Sequence, residues 1–374
     1  MRSTPTTPAL LSTPDPSRRR LLQAALALLA GRAPLAGAQQ QQQRIPIADM
    51  HSHYGMVTRT MASSGLAEDM RSQRVALVAW KLIADARWIR AGDTGISQVS
   101  EPAPGALAEH FNTVLGRMKA YLAANGLKTV LTAEDVDACI AGEPGIVLAS
   151  EGADFLEGQV DKLDAAYQQG LRHLQLVHYI RTPVGDFQTV RPVHNGLSDM
   201  GKRLIEACNQ KRILVDLAHS TGDAVDQALA VAKTPVVWSH GWVTQSGGNW
   251  LDRFGYLQRR LSLDHARKIA DRGGVIGLWG LALSAPSPSW SGGWSVGRRD
   301  TQAYAKELAN LVDKLGADHV AFGTDIEGVG PNWSVNDYAQ VRSVVDHLQE
   351  MKLASSVIER LAFGNYARVL KAVL

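Results

Sequence analysis

Residues 213–240, ILVDLAHSTGDAVDQALAVAKTPVVWSH, contain one complete strand–helix–strand unit. The run ILVDLAH is rich in aliphatic residues, and PVVWSH repeats that character after an amphipathic segment. Such short and nearly continuous apolar runs are typical of parallel strands that are buried on both faces. Each of the two predicted strands ends in a histidine, His219 and His240. The segment therefore predicts a βαβ unit with an ionisable side chain at the carboxyl end of each strand.

The same unit recurs along the whole chain. Eight runs are predicted as strands, at residues 45–53, 75–82, 146–151, 171–178, 213–219, 235–240, 275–280 and 319–325. Helical patterns such as DMGKRLIEACNQK and TQAYAKELANLVDKLG separate them. Eight strands in alternation with helices predict a closed (β/α)₈ (TIM) barrel of the α/β class, rather than an open doubly wound sheet. No G-x-G-x-x-G motif follows the first strand, which argues against nucleotide binding.

Two stretches are longer than a minimal barrel requires. Residues 83–145 separate the second and third predicted strands and include the helical pattern ALAEHFNTVLGRMKAYLAANG. Residues 281–300 are rich in Ser, Pro, Gly and Trp and show no periodicity. Because long loops in compact domains are usually functional, we expect the second stretch to form a lid over the site.

The amino-terminal segment has the pattern of an export signal. Ser17-Arg18-Arg19-Arg20 precedes a short apolar run, and Ala36-Gly37-Ala38 resembles a cleavage site. We predict a twin-arginine-type signal peptide at 1–38, a Gln-rich linker at 39–44 and a single barrel domain at 45–374. An uncleaved anchor or a disordered tail is the alternative for 1–38. With the signal we expect a periplasmic or secreted protein, and no later run is long enough to span a membrane.

The charge balance argues against a nucleic-acid partner. The formal net charge is +3 at neutral pH, but residues 1–38 carry five arginines against a single aspartate. Without that surplus of four positive charges, the remaining chain is near −1. A nearly neutral domain lacks the basic surface that nucleic-acid binding requires.

Titratable side chains fall at the carboxyl ends of the predicted strands. They are His51, His53, Glu151, His178, His219, His240 and Asp325. In a (β/α)₈ barrel these ends converge on one mouth, where active sites lie. His51 and His53 are two residues apart in a strand and should point to the same side. Strict alternation also places Val215 on the face of His219, and Trp238 on the face of His240.

A single histidine at a strand end is more often a hydrogen-bonded structural group than a metal ligand. Four ligand-type histidines, a glutamate and an aspartate at the ends of five different strands are a much stronger indication. Imidazole and carboxylate ligands suit zinc and similar divalent ions, and a catalytic zinc site leaves a coordination position for water. The sequence therefore predicts a metal-dependent hydrolase. The other histidines, His110, His173, His194, His265, His319 and His347, are predicted to be structural.

Several segments resemble the membrane (renal-type) dipeptidases, peptidase family M19 of the amidohydrolase superfamily. The resemblance rests on the segments ASEGAD (149–154), LVH (176–178), DLAHS (216–220), VWSH (237–240), GTD (323–325) and GN (364–365). By that similarity, the fold would be a (β/α)₈ barrel of the metal-dependent hydrolase type, holding two zinc ions. His51 and His53 would bind one zinc, His219 and His240 the other, and Glu151 would bridge them. His178 would contact the substrate, and Asp325 would transfer the proton.

The resemblance also implies a carboxylate-binding arginine after the sixth strand. Spacing favours Arg259 over Arg260, and a solvated arginine is the alternative for either residue. One motif departs from the family pattern, because His51-Ser52-His53 stands where the dipeptidases usually have His-x-Asp. The departure puts the metal identity, the occupancy of the second site and the substrate in question.

The expected function is hydrolysis of a small dipeptide-like substrate by metal-activated water. The first alternative is an amidohydrolase that acts on another bond, such as that of an N-acyl amino acid, a lactone or a phosphoester. A second alternative is an inactive, zinc-binding periplasmic protein. The expected partner is the small-molecule substrate, and because the family often dimerises, a homodimer is a further expectation.

Overall fold

Eight parallel strands form a closed ring in the described part of the chain. They are β1 (Ile47–Ser52), β2 (Val75–Ile83), β3 (Gly145–Glu151), β4 (Leu171–Gln175), β5 (Leu214–Asp216), β6 (Val237–Trp238), β7 (Val275–Leu278) and β8 (Val320–Phe322). Each strand pairs with the next along the chain, and β8 returns to β1, where Phe322 lies opposite Asp49. The predicted (β/α)₈ barrel is confirmed.

The computed structural model describes residues 44–57, 60–92, 95–252, 257–284, 295–297, 300–328 and 334–374. Within this part, residues Ile45–Leu374 form one compact unit. The predicted signal at 1–38 and the predicted linker up to residue 43 lie outside the described residues. Most of the predicted lid at 281–300 lies outside them as well.

Helices follow the strands and surround the ring. They are α1 (Leu66–Ser72), α2 (Ala106–Asn125), α3 (Ala133–Ala141), α4 (Leu163–Gln168), α5 (Asp199–Lys211), α6 (Gly222–Val231), α7 (Leu263–Asp271), α8 (Thr301–Leu315), α9 (Tyr338–Glu350), α10 (Ser355–Glu359) and α11 (Asn365–Val373). Several begin at a Ser, Thr or Asp whose side chain accepts a hydrogen bond from the first turn, as Thr221 does from Ala224 in α6. Such caps satisfy backbone donors that a helix leaves unpaired.

The long stretch after β2 has structure of its own. Strands Ile89–Gly92 and Gly95–Gln98 form an antiparallel hairpin, which α2 and α3 follow. After β6, Trp242–Thr244 pairs in parallel with Arg260–Ser262. This pairing holds the segment that carries Arg259 beside the carboxyl end of β6.

Strand residues alternate between two apolar clusters. Val78 and Leu148 belong to a cluster that they share with the surrounding helices. Ala79 and Ala149 belong to a second cluster, which includes Tyr366 and other residues of α11. This second cluster lies inside the ring. Because α11 packs against it, and Asn365 of α11 donates to the carbonyl of Val320 at the start of β8, α11 closes the end of the barrel opposite the mouth.

Candidate metal centre

The predicted ligand set converges at the carboxyl end of the barrel, around Glu151. The Oε1 atom of Glu151 lies 3.1 Å from Nε2 of His219, and 3.4 and 3.6 Å from the same atom of His51 and His240. Its Oε2 atom lies 2.9 Å from Nε2 of His53 and 3.4 Å from that of His178. All of these side chains are buried. Residues up to 189 positions apart therefore share one small volume.

Asp325 completes the group from the end of β8. Its Oδ1 atom lies 3.2 Å from Nε2 of His53 and 3.5 Å from Nε2 of His51. Its Oδ2 atom accepts a hydrogen bond of 2.8 Å from the indole of Trp279. Trp279, which sequence reasoning did not single out, therefore fixes the carboxylate so that one oxygen faces the histidines.

Backbone conformation, rather than strand alternation, aims two of these side chains. His219 and Asp325 have φ angles of 73° and 54°, in the left-handed region that non-glycine residues rarely adopt. Val215 and Trp238 pack in the cluster shared with the helices, whereas His219 and His240 lie in the mouth. The prediction that each pair shares one face of its strand is therefore wrong. The strands end at Asp216 and Trp238, and the turns that follow carry both histidines into the mouth. Strained residues of this kind concentrate at functional sites.

The hydrogen bonding of His53 shows why a cation suits this cluster. Its Nδ1 atom lies 2.7 Å from the carbonyl oxygen of Lys81, so Nδ1 must carry a proton and donate it. In the neutral ring, the lone pair of Nε2 then faces the carboxylate oxygens of Glu151 and Asp325. Acceptors in contact repel one another unless a proton or a metal ion lies between them. The donor set therefore fits a divalent cation.

The pKa shifts in the cluster also indicate that positive charge is favoured beside Glu151 and Asp325. Although burial opposes a charge on His53, hydrogen bonds to Asp325 and Glu151 raise its pKa to about 10. Burial, together with the positive groups around them, holds the pKa values of His219 and His240 well below the usual range, which leaves these rings neutral as metal ligands. Glu151 remains ionised, because His178 and His51 lower its pKa despite burial.

Ligand-type atoms group into three overlapping triads within the described residues. The triads are His51–His53–Asp325, His51–Glu151–His240 and Glu151–His178–His219. His51 and Glu151 each belong to two triads, which is the pattern expected where neighbouring ions share ligands. His178 lies 3.4 Å from Glu151, within the 2.9–3.6 Å range of the four predicted histidine ligands. Distance to Glu151 therefore does not distinguish His178 from these ligands.

A buried polar layer lies beneath the centre, and sequence reasoning missed it. The ammonium group of Lys81 contacts the carboxylate of Asp216, and it lies 3.5 Å from the hydroxyl of Ser239. That hydroxyl is 2.8 Å from Nδ1 of His51 and 3.2 Å from Nδ1 of His240. One serine therefore orients a ligand from each of the two predicted metal sites. A lysine inside an otherwise apolar strand, VALVAWKLI, was the available signal.

His178 is oriented by a carboxylate that was not predicted. Oδ1 of Asp85 lies 2.7 Å from Nδ1 of His178, and Oδ2 accepts from the backbone N–H of Tyr179. Burial lowers the pKa of His178, but the carboxylates of Asp85 and Glu151 outweigh it and raise the pKa. The Nε2–H group of His178 is thereby directed into the mouth as a hydrogen-bond donor.

Arg259 lies in the site, and Arg260 does not. The guanidinium of Arg259 is 1% exposed, donates to the hydroxyl of Tyr179 at 3.1 Å and lies 3.1 Å from Nε2 of His240. Among the described residues, no carboxylate lies within ion-pair distance of it. Arg260 instead pairs with Asp252 at 2.8 Å. A buried cation without an anion is a ready site for a carboxylate ligand.

Residues 42–374 match the profile of the membrane dipeptidase family, peptidase family M19. The chain belongs to this family. A similar curated protein is one from the pqqA 5′ region of Klebsiella pneumoniae, with 26% identity over 67% of this chain and 90% of that protein. Another is a dipeptidase of Claviceps purpurea (tcpJ), with 22% identity over 62% of this chain. The alignment spans about half (52%) of the Claviceps protein.

Two solved peptidase structures share the fold, and the first of them is described as a metallopeptidase of family M19. The dipeptidase AC has a TM-score of 0.71 at 19% identity, with 88% of this chain and 98% of that chain covered. A metallopeptidase of Rhodobacter sphaeroides, solved with a phosphinate mimic of L-Ala-D-Ala, has a TM-score of 0.70 at 19% identity, with coverage of 88% and 99%. As a member of the membrane dipeptidase family, the chain is a hydrolytic enzyme of a metal-dependent type.

Two further features of the described residues relate to the sequence predictions. His173, predicted to be structural, contacts the Tyr366 hydroxyl at 3.0 Å and the Asp216 carboxylate at 3.4 Å within the barrel. None of the helices in the described ranges combines the length and hydropathy that a bilayer crossing requires.

Proposed function

We propose that this enzyme hydrolyses the amide bond of a dipeptide-like substrate that has a free carboxylate. The observation that carries the proposal is the pairing of two features in one mouth: a carboxylate–imidazole cluster that fits divalent cations, and a buried Arg259 without an anionic partner among the described residues. The family match supports the reaction class.

The proposed cofactor is a pair of zinc ions. His51 and His53 would hold one ion and His219 and His240 the other. Glu151 would be shared by both, because its carboxylate lies within 3.6 Å of all four imidazoles. Bound ions of this kind acidify water and polarise a carbonyl group. Ser239 and the Lys81 carbonyl would hold the imidazoles in orientation, as second-shell partners generally do.

The side chains of the chain itself would perform the remaining steps. Arg259 would bind the substrate carboxylate through its planar fork and so place the scissile bond over Glu151. His178, held by Asp85, would donate a hydrogen bond to the oxygen that becomes negatively charged. Asp325 would accept the proton of the attacking water and return it to the leaving amine. Trp279 keeps Asp325 in place for both transfers.

The test of this proposal is Asp325→Asn, assayed on a panel of L,L- and L,D-dipeptides. The amide is isosteric and can keep the contact with Trp279, so we expect the metal content to remain unchanged. Loss of the proton acceptor should lower kcat by roughly 10²- to 10⁴-fold. Metal analysis and steady-state kinetics measure the two effects. A variant that retains its metal and the wild-type kcat would refute the role of Asp325.

His53 gives a specific reason to keep a second candidate in the panel. It adds an imidazole where the family usually has a carboxylate, which removes a negative charge from the cluster. An N-acyl amino acid, a lactone or a phosphoester is the alternative substrate. Turnover of N-acyl amino acids without turnover of any dipeptide would favour that alternative.

We also propose that the chain is exported through the signal predicted at 1–38. Its support is the Arg18-Arg19 pair before an apolar run and the small residues at 36–38. Changing both arginines to lysine should leave full-length precursor in the cytoplasm, as cell fractionation would show. Equal processing of the wild type and the variant would refute this route.

A further inference from the structure

A large cavity lies beside the metal centre, outside the barrel mouth that contains the ligand cluster. Its volume is about 870 Å³, which is within the usual range for small-molecule sites. The walls come from the segment after β1, from the end of β2 and from one face of α2, and most of the lining is apolar, including Met56, Val114 and Tyr121. None of the steps proposed for the reaction uses this cavity.

The cavity borders the reactive cleft through one residue. Ile83, the last residue of β2, lines both the cavity and the cleft that contains Glu151, His178 and Arg259. In the barrel sheet, Ile83 lies directly opposite Glu151 on β3. A substrate group that extends past Ile83 would therefore reach from the carboxylate of Glu151 into the cavity.

Strand order sets the direction in which a substrate would extend. In a closed ring of eight strands in sequence order, β2 and β6 lie opposite each other. Arg259 lies beside His240, immediately after β6, and Ile83 ends β2. A substrate that places its carboxylate on Arg259 and its scissile bond over Glu151 must direct its other end towards Ile83.

The cavity also has a positively charged rim. Arg87 and Arg117 both line it and are exposed, and neither has an ion-pair partner among the described residues. His110 lines the same cavity, and its buried Nδ1 atom has no hydrogen-bond partner in the described part of the chain. Burial, followed by the charges of Arg87 and Arg117, lowers the pKa of His110 and outweighs the opposite effect of Asp85. The neutral ring leaves the two arginines as the source of positive charge.

We propose that this cavity is the specificity pocket for the amino-terminal side chain of the substrate, and that it selects a large apolar group with an anionic end. The proposal rests on the proposed function, because it uses the carboxylate on Arg259 to orient the substrate. The apolar walls would bind the body of the side chain, and Arg87 and Arg117 would attract its terminal negative charge.

Three dipeptides test the pocket on the zinc-loaded enzyme. They are alanyl-alanine, phenylalanyl-alanine and (p-carboxyphenylalanyl)-alanine. Burial of the ring should raise kcat/KM for phenylalanyl-alanine roughly 10- to 100-fold over alanyl-alanine. The added carboxylate should raise it by a further factor of roughly two to five, because the arginines are exposed and screened by water.

Two matched variants on α2 separate the pocket from the fold. Ala124 lines the cavity and Ala123 does not, and both are exposed. Ala124→Trp should bring kcat/KM for phenylalanyl-alanine down to that for alanyl-alanine, while alanyl-alanine itself changes less than about twofold. Ala123→Trp should keep the full preference. Replacing Arg87 and Arg117 by Gln should abolish only the advantage of the carboxylated ring.

Binding provides a readout that does not depend on turnover. Reduced-amide analogues of the same dipeptides, titrated by calorimetry, should show the same ratios in Kd. Equal Kd values for the alanyl and phenylalanyl analogues, or an unchanged preference in Ala124→Trp, would overturn the pocket assignment while dipeptide hydrolysis stands. Hydrolysis of none of the three dipeptides, with no binding of their analogues, would overturn the proposed function and the pocket together.

Discussion

Replacing Lys81 by Met tests the buried layer beneath the metal centre. Lys81 and Asp216 are fully buried and in contact, so the variant leaves a carboxylate inside the barrel without its cation. Breaking a buried ion pair by removing one partner usually costs about 3–5 kcal/mol. Backbone N–H groups of Ala218 and Ser239 still donate to Oδ1 of Asp216, each at 3.0 Å. We therefore expect a loss near the lower end, about 3 kcal/mol in the free energy of unfolding.

The pH dependence of this loss has a definite sign. Burial raises the pKa of Asp216, but Lys81 and then His173 hold it well below the usual range. In the native protein, this interaction stabilises the fold above the unfolded pKa of about 4, and the stabilisation disappears as the pH falls through the depressed folded pKa. Without Lys81, burial should raise the pKa of Asp216 above 4. Protonation then relieves the buried charge, so the difference between variant and wild type should be larger at pH 8 than at pH 5.

Equilibrium denaturation of the metal-free protein at both pH values measures the effect. The double variant Lys81→Met with Asp216→Asn is the control, because it removes both charges and keeps an acceptor for the two N–H groups. It should recover most of the lost stability, with a coupling energy of at least about 2 kcal/mol. A loss under 1 kcal/mol for Lys81→Met, or a double variant no more stable than the single one, would refute this account.

Three further predictions concern the site. Arg259→Ala should raise KM for dipeptides roughly 100-fold, because the free carboxylate loses the guanidinium. KM for the carboxyl-terminal methyl esters should rise much less. Equal changes in the two KM values would show that the carboxylate binds elsewhere. Asp85→Ala should lower kcat roughly 10-fold or more with unchanged metal content, since His178 loses the acceptor that orients it. The test is kinetics alongside metal analysis, and an unaltered kcat would exclude the role. Chelation should abolish activity and lower the melting temperature, and zinc should restore both at about two ions per chain, as calorimetry and elemental analysis can establish.

The barrel and its mouth could be predicted because their signals are local. Each strand is a short apolar run, and each predicted ligand stands at or just after the end of one, so counting strands was enough to bring His51, Glu151 and His240 together. Strand ends were less accurate. The run at 213–219 contains only the three-residue strand Leu214–Asp216, because nothing in the apolar pattern marks the turn that begins at Leu217.

The supporting groups could not be predicted because their partners are distant in sequence. Lys81 and Asp216 are 135 positions apart, and His178 and Asp85 are 93 apart. Neither pair shares a motif, and each contact depends on how adjacent strands are staggered. The cavity beside Ile83 was equally hidden, since it lies between a loop, a strand end and a helix face that only the packed structure brings together.

Closure of the barrel also governs when the catalytic mouth is complete. The first strand pairs with the eighth across 273 positions, at Asp49 and Phe322. His51 and His53 precede β2, whereas Asp325 follows β8, so an incomplete chain on the ribosome lacks part of the cluster. The carboxylate of Asp325 therefore joins His51 and His53 only when synthesis is nearly finished. A fragment that ends before β8 would hold the five proposed ligands but would lack the group proposed to move the proton.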